Sequence, residues 1–261
     1  MSEPVLITEI HGSTAVLKMN RPEARNALDA ERVVALTEAF GRVSGDASVR
    51  VVILTGEGAA FCGGADLKTL QGLQAASAAQ NMEDAARFKS LFRSIGTCPK
   101  PVIAAVNGPA LAGGCGLVSL CDVVLACPEA TFGYPEVRIG FVAAMVLVFL
   151  SRQLGERRAK DLLLTGRTLN AEEAQAMGVV TRIVPCEALL DEALGSAREF
   201  RRSSPASMAL TKELLWRTAG LSTESALDLA EMVNTYARTT PDVREGLSAF
   251  LEKRRTSWSQ K

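Results

Sequence analysis

The sequence predicts an α/β fold in which strands alternate with helices, followed by a helical C-terminal region. Three observations carry this reading. Short β-branched runs at 49–55, 101–106 and 122–126 are bounded by turn residues, as in strands buried on both faces. Segments with helical spacing of apolar residues separate them, which suits right-handed crossovers between parallel strands. From residue 144 onward the patterning is almost wholly helical.

Each element has a local reason. Residues 5–11 and 14–19 alternate about Gly12-Ser13, predicting a β-hairpin. Asp29 stands at an N-cap position ahead of Val33, Leu36, Ala39, Phe40 and Val43, which share one helical face, and Gly45 ends that helix. The strand at 49–55 stops at Gly56-Glu57-Gly58, and a glycine-rich Phe61-Cys62-Gly63-Gly64-Ala65-Asp66 segment follows. Residues 71–80 are small and polar and read as a mobile loop or loose helix, with a helix over 83–95. The pattern then repeats. A strand at 101–106 leads through Asn107-Gly108 to Ala112-Gly113-Gly114-Cys115-Gly116, which opens an apolar helix to Leu120, and a buried strand at 122–126 follows. Residues 139–150, the longest apolar run, suit a buried core helix and are too short to span a bilayer. Pro205 and Pro241 each open a helix. There is no internal repeat, Ser/Gly linker or low-complexity tail.

Composition narrows the function classes. With 261 residues, 48% apolar and 22% charged, the chain can bury one large core with a smaller helical part. Lys plus Arg equals Asp plus Glu, 29 each, so the balance carries no footprint for nucleic acid or an anionic membrane. The mild basic cluster of Arg152, Arg157, Arg158 and Lys160 reads as a solvated helix face. Residues 1–9 lack the basic start and apolar stretch of a signal peptide. The cysteines at 62, 98, 115, 121, 127 and 186 form no Cys-x-x-Cys pair and have no histidine partner, so zinc and a disulfide scaffold are not expected. They read as small buried residues of a cytoplasmic protein. His11 is the single histidine, reads as a surface residue of the hairpin, and has no glycine-flanked nucleophile to serve.

The two glycine-rich segments each follow a β-branched strand. Such turns let a ligand approach the main chain, with N–H groups aimed at a phosphate or an oxyanion. Neither carries a nucleotide-binding motif, and tight strand–helix packing explains their glycines equally well. A third segment, Phe132-Gly133-Tyr134-Pro135-Glu136, lies about twenty residues beyond the second turn and offers a carboxylate.

Taken in order, these segments resemble the enoyl-CoA hydratase/isomerase (crotonase) family. The resemblance rests on Asn20-Arg21-Pro22 with Asn26-Ala27-Leu28, and on Phe61-Cys62-Gly63-Gly64-Ala65-Asp66-Leu67. It continues through the run from Pro101 to Gly108, Ala112-Gly113-Gly114-Cys115 with Cys121-Asp122, and Phe132-Gly133-Tyr134-Pro135-Glu136. Thr165-Gly166-Arg167, residues 174–180 and residues 245–254 extend it over nearly the whole chain.

The resemblance implies a crotonase-like spiral of ββα units over residues 1–195 and a C-terminal helical trimerisation region over 196–261, assembled as a homotrimer or a dimer of trimers. It implies an acyl-CoA substrate, no cofactor beyond the coenzyme A of that substrate, no metal, and no nucleic-acid or membrane partner. Ala65 and Gly113 would form an oxyanion hole through their N–H groups. Asp66, Leu67 and Lys68 would line the CoA channel, with Ala65 and Gly113 also touching substrate. Lys253, from a neighbouring subunit, and Arg25 would meet CoA phosphates. Glu136 would be the acid/base. Two-carboxylate hydratases of this family carry a glutamate where this chain has Gly116, so only Glu136 remains. That departure leaves three readings: a hydratase working with one glutamate, a Δ3–Δ2 enoyl-CoA isomerase, and a CoA-binding protein without chemistry. Residues 141–150 are bulkier and more apolar than in many relatives, which predicts either an apolar pocket wall or core packing.

Overall fold

A computed structural model describes residues 4–259; the start of the 1–9 segment and the last two residues lie outside this range. The predicted hairpin is present as β1 (Leu6–His11) and β2 (Thr14–Met19), paired antiparallel with His11 opposite Thr14. His11 is exposed beside Glu9. Asp29 caps α1 (Ala30–Gly45) by accepting the N–H of Arg32, and the apolar stripe named above is buried.

The main sheet has six strands in the order β1-β2-β3-β4-β6-β9. Its strands after the hairpin are β3 (Val51–Gly56), β4 (Val102–Val106), β6 (Val123–Ala126) and β9 (Arg182–Ile183), and every pairing beyond β1–β2 is parallel. A smaller sheet, β5-β7-β8, joins β5 (Ala110–Leu111), β7 (Thr131–Gly133) and β8 (Thr168–Asn170). The β-branched runs lack polar alternation because both faces of the main sheet are covered. Val52, Leu54, Val102 and Ala104 enter one core cluster with α1. Val51, Ile53, Ile103 and Ala105 enter the other, beneath α8 (Leu189–Phe200).

Between β3 and β4 run α2 (Leu67–Leu73) and α3 (Ala78–Gly96). The helix expected over 83–95 therefore starts earlier. Ser77 accepts the Gln80 N–H while the Gln80 side chain reaches back to the Ser77 N–H, a reciprocal cap that pulls the first turn out of the polar segment. The glycine-rich helix is α4 (Gly113–Ser119).

Residues 139–150 depart from the buried core helix expected of them. The helix, α5 (Ala144–Leu154), buries only Val146, Leu150 and Leu154, whereas Ile139, Phe141, Val142, Leu147 and Val148 are exposed. Gly140, at φ +75°, ends the 3-10 turn Pro135–Ile139, and this turn and the residues that follow it hold the apolar side chains outside the core.

The remaining helices are α6 (Glu156–Thr165), α7 (Ala171–Met177), α9 (Pro205–Thr218), α10 (Thr223–Ala237) and α11 (Pro241–Leu251). Pro205 and Pro241 occupy first helical positions, as predicted. Trp216 of α9 lies over Gly96, where an added Cβ would come within 2.1 Å of the indole. Its ring stacks on Phe149, centroids 5.8 Å apart, and Lys212 pairs with Asp122, so α9 is fastened to the core by apolar and polar contacts. No helix among the described residues is long and apolar enough to cross a membrane.

Candidate active site

The segment after β3 is held from both sides. Gly63 N–H donates to the Arg25 carbonyl (2.8 Å), Leu28 N–H to the Gly64 carbonyl (2.7 Å), and Asp66 N–H to the Leu28 carbonyl (2.9 Å). Arg25 and Asn26 take left-handed φ values of +51° and +54° to make this turn. Asn26 is fully buried and completes it. Its amide donates to the carbonyls of Glu57 and Ala60, and its oxygen accepts the Arg21 N–H. Asparagine tolerates this backbone because its short polar side chain bonds locally. That residue's clamping role was missed in the sequence, although an asparagine just before an apolar Ala-Leu pair was the available signal.

These bonds leave the N–H of Ala65 without a hydrogen-bond acceptor among the described residues, and the Gly113 N–H at the start of α4 is equally free. The two segments touch. A Cβ built on Gly113 would lie 3.8 Å from the Ala65 nitrogen, and one built on Gly64 would lie 3.3 Å from the Gly113 nitrogen. Gly64 has φ +92°, and its added Cβ would also meet Ala112 Cβ at 2.7 Å and the Leu111 carbonyl oxygen at 2.8 Å. Close approach and a positive φ both require glycine there. Ala112 itself sits at φ +51°, ψ −120°, a backbone cost of about 1–3 kcal/mol for a residue with a Cβ. That strained residue aims the turn into α4.

Glu136 reaches the same region through the small sheet. Leu111 pairs with Gly133, and Ala112 N–H donates to the Gly133 carbonyl (2.8 Å), which places β7 and its continuation against the turn preceding Gly113. Glu136 is only 8% exposed, so its carboxylate is not turned to bulk solvent. Its Oε2 is buried with no hydrogen-bond partner among the described residues, and so is the Tyr134 hydroxyl. Burial raises the Glu136 carboxyl above its ordinary range, and a backbone hydrogen bond offsets this in part. Cys115 lies beneath. Its thiol donates to the Ala110 carbonyl (2.8 Å), its sulfur accepts the Gly133 N–H (3.3 Å), and burial pushes it up to about 12, which makes it an inert packing thiol.

At Gly116 an added Cβ would approach the Phe92 ring at 2.5 Å and Val146 at 3.0 Å. The space in which a glutamate side chain would begin is filled by these two apolar groups.

The other predicted residues are placed less centrally. The Asp66 carboxylate caps α2, accepting from Lys68 N–H (2.9 Å) and Thr69 N–H (3.2 Å), and also pairs with Arg21. Those backbone donors, against a small burial cost, hold it below the usual carboxylate range. Leu67, Lys68 and Arg25 are exposed. Lys253 is exposed just past α11, with no hydrogen bond or ion pair to residues 25, 65–68, 113 or 136. The structure therefore brings together Ala65 and Gly113, sets Glu136 in the 3-10 turn that follows β7, and leaves Lys253 without a hydrogen bond or ion pair to them within one chain.

Two free amide donors side by side suit a carbonyl oxygen that gains charge during reaction, and a buried carboxyl without a partner suits proton transfer. Comparison with known proteins gives the family. The family model for enoyl-CoA hydratase/isomerase matches residues 9–261. A Thermus thermophilus protein provisionally named an enoyl-CoA hydratase is 47% identical over 243 residues, covering 93% of this chain and 96% of the relative. The crotonyl-CoA hydratase of Syntrophomonas wolfei is 36% identical, with 98% of each chain covered. The crystal structure of an enoyl-CoA hydratase from Mycobacterium smegmatis matches with a TM-score of 0.91 at 36% identity, covering 98% of this chain and 99% of that one. The chain belongs to the enoyl-CoA hydratase/isomerase family of enzymes and has its fold.

Proposed function

We propose that this chain is an enoyl-CoA hydratase that holds an acyl-CoA thioester against the N–H groups of Ala65 and Gly113, stabilises the enolate, and moves protons with Glu136 alone. The observation that supports this reading is the close approach of two donors without acceptors, those of Ala65 and Gly113, in a fold that also buries the Glu136 carboxyl oxygen without a partner. An enolate places charge on the thioester oxygen, and losing one preorganised donor to such charge costs about 2.7–4 kcal/mol of barrier. Burial raises the Glu136 carboxyl above its ordinary range, the direction that suits a proton-shuttling acid/base. The names of the relatives favour hydration.

In the same proposal the CoA moiety passes residues 65–68 and its phosphates meet Arg25 and, from a neighbouring subunit, Lys253. Residues 196–261 form the assembly region of a homotrimer or dimer of trimers in the cytoplasm, and no cofactor is needed beyond the substrate's own coenzyme A.

Gly116 favours a second reading. With Phe92 and Val146 packed where a second carboxylate would begin, one carboxyl can take a proton from one carbon and return it to another, which is Δ3–Δ2 isomerisation. Product analysis in heavy-oxygen water, using crotonyl-CoA and a 3-enoyl-CoA, separates the two. Label in the product from crotonyl-CoA supports hydration, and a shifted double bond without label supports isomerisation. No turnover of either ester overturns both.

A further inference from the structure

Away from this site, the parallel pairing of β6 with β9 brings together two cysteines that are far apart in the sequence. Ala126 pairs with Ile183, and Val184 N–H donates to the Ala126 carbonyl, so the chain leaves both strands on the same side. Cys127 follows β6, and Cys186 opens the 3-10 turn leading into α8. The sulfurs of Cys127 and Cys186 and a carboxylate oxygen of Glu129 all lie within 4.8 Å of one another. Cys186, expected to be buried, is instead exposed, and its thiol donates to Glu129 Oε2 at 2.8 Å. Cys127 is fully buried beneath them. Glu129, Cys186 and Glu187 line one surface depression walled by Pro128, Val184 and Pro185.

We infer that Cys127, Cys186 and Glu129 form a binding site for a thiophilic divalent cation of the zinc class, with a fourth position open to water or to Glu187. The donor set is one that zinc accepts, and tetrahedral zinc with bonds of about 2.0–2.3 Å holds its ligands about 3.5–3.8 Å apart. Small side-chain movements within the observed cluster reach that spacing. The ligands sit on turns that Pro128 and Pro185 restrict, so little chain freedom is lost on binding. Glu129 and Glu187 supply negative charge that favours a cation over a second neutral occupant. A disulfide is the competing outcome. The Cys186 thiol is already directed to Glu129 Oε2, and a bound cation would take that place with loss of the thiol proton. Bound there, the ion would tie the edge strand β9 and the entrance to α8 back to β6.

The test uses the full chain, stripped with a chelator under reducing conditions and titrated with Co²⁺. One equivalent should produce a thiolate-to-cobalt charge-transfer band, Zn²⁺ should displace it, and Cys186→Ser should lose the band while keeping the metal-free melting temperature. Glu129→Gln should weaken Co²⁺ binding at least tenfold. No band with thiols shown to be free by titration after unfolding, a band that survives Cys186→Ser, or a Cys127–Cys186 disulfide in freshly purified protein would each overturn the site. Turnover of acyl-CoA enters none of these readouts.

Discussion

At the residue scale, Glu136 sets activity against stability. Its folded-state carboxyl is raised by burial relative to an unfolded value of about 4.3. The folded protein therefore binds more protons between those two values, and stability falls as pH rises through that window. Glu136→Gln carries no charge to bury. It should melt at a higher temperature than the wild type above the window and at nearly the same temperature below it. The same substitution should lower kcat/KM about 10²–10⁴-fold, the usual worth of a positioned acid/base. The wild-type rate of proton removal should fall as pH drops through the raised value, giving an acid limb above the ordinary carboxylate range. Calorimetry and a pH–rate profile on both proteins check this. A variant that melts lower than the wild type at neutral pH would show that the buried carboxyl is stabilised by a partner. Leu28 and Cys115 support the site by packing and by hydrogen bonds to the segments around it. Leu28 Cδ1 stands 3.6 Å from where a Gly113 Cβ would be, and the Cys115 sulfur fixes the backbone of Gly133.

At the element scale, the two glycine-rich turns differ from an ordinary helical glycine in what surrounds them. Gly64→Ala would drive a Cβ into Ala112 and the Leu111 carbonyl at a φ of +92°, forcing apart the two turns that carry the free amides. Gly72, inside α2, has nothing within 4 Å of an added Cβ. Gly72→Ala should gain about 0.5–1 kcal/mol of stability, whereas Gly64→Ala should lose stability and, at temperatures where it is folded, lose kcat more than it raises KM. Denaturant unfolding with steady-state kinetics measures both, and a Gly64→Ala enzyme with unchanged kcat would separate these turns from the chemistry. The same contrast shows which parts of the structure the sequence made legible. The hairpin about Gly12-Ser13, the Asp29 cap and the proline helix starts were readable because each depends on neighbours within a few residues. The Ser77–Gln80 cap was equally local but was hidden by small polar residues that also suit a loop. The strain at Ala112, the Phe92 ring against Gly116 and the Cys127–Cys186 pair arise from contacts between distant segments, which no local pattern encodes. Residues 139–150 misled for another reason. Composition made them look like core, but their burial depends on which surfaces of the chain find a partner.

For the whole molecule, that question of partners extends to the C-terminal helices. Trp216 and Lys212 fasten α9 inward, and the Asp242 carboxylate joins the starts of α9 and α11 by accepting from Ser204 Oγ (2.6 Å) and Ala206 N–H (3.1 Å). The outward faces are apolar nonetheless: Leu215, Leu227, Met232, Tyr236, Phe250 and Leu251 are all more than half exposed. Large apolar side chains left in water are costly, and the proposed assembly gives them a partner. The proposed trimer would cover them and would bring Lys253, two residues past α11, to a neighbour's thioester site. Sedimentation velocity at micromolar concentration should then report a mass of three or six chains. Phe250→Asp combined with Leu251→Asp should shift that mass to one chain without loss of helical signal, because both side chains point outward. Activity should fall with the mass through a higher KM for the CoA ester, and Lys253→Ala should raise KM in the intact assembly while leaving kcat near the wild-type value. If the wild type sediments as a monomer and turns over normally, the phosphate-binding role of Lys253 fails together with the assembly, since within one chain that residue makes no hydrogen bond or ion pair to the site.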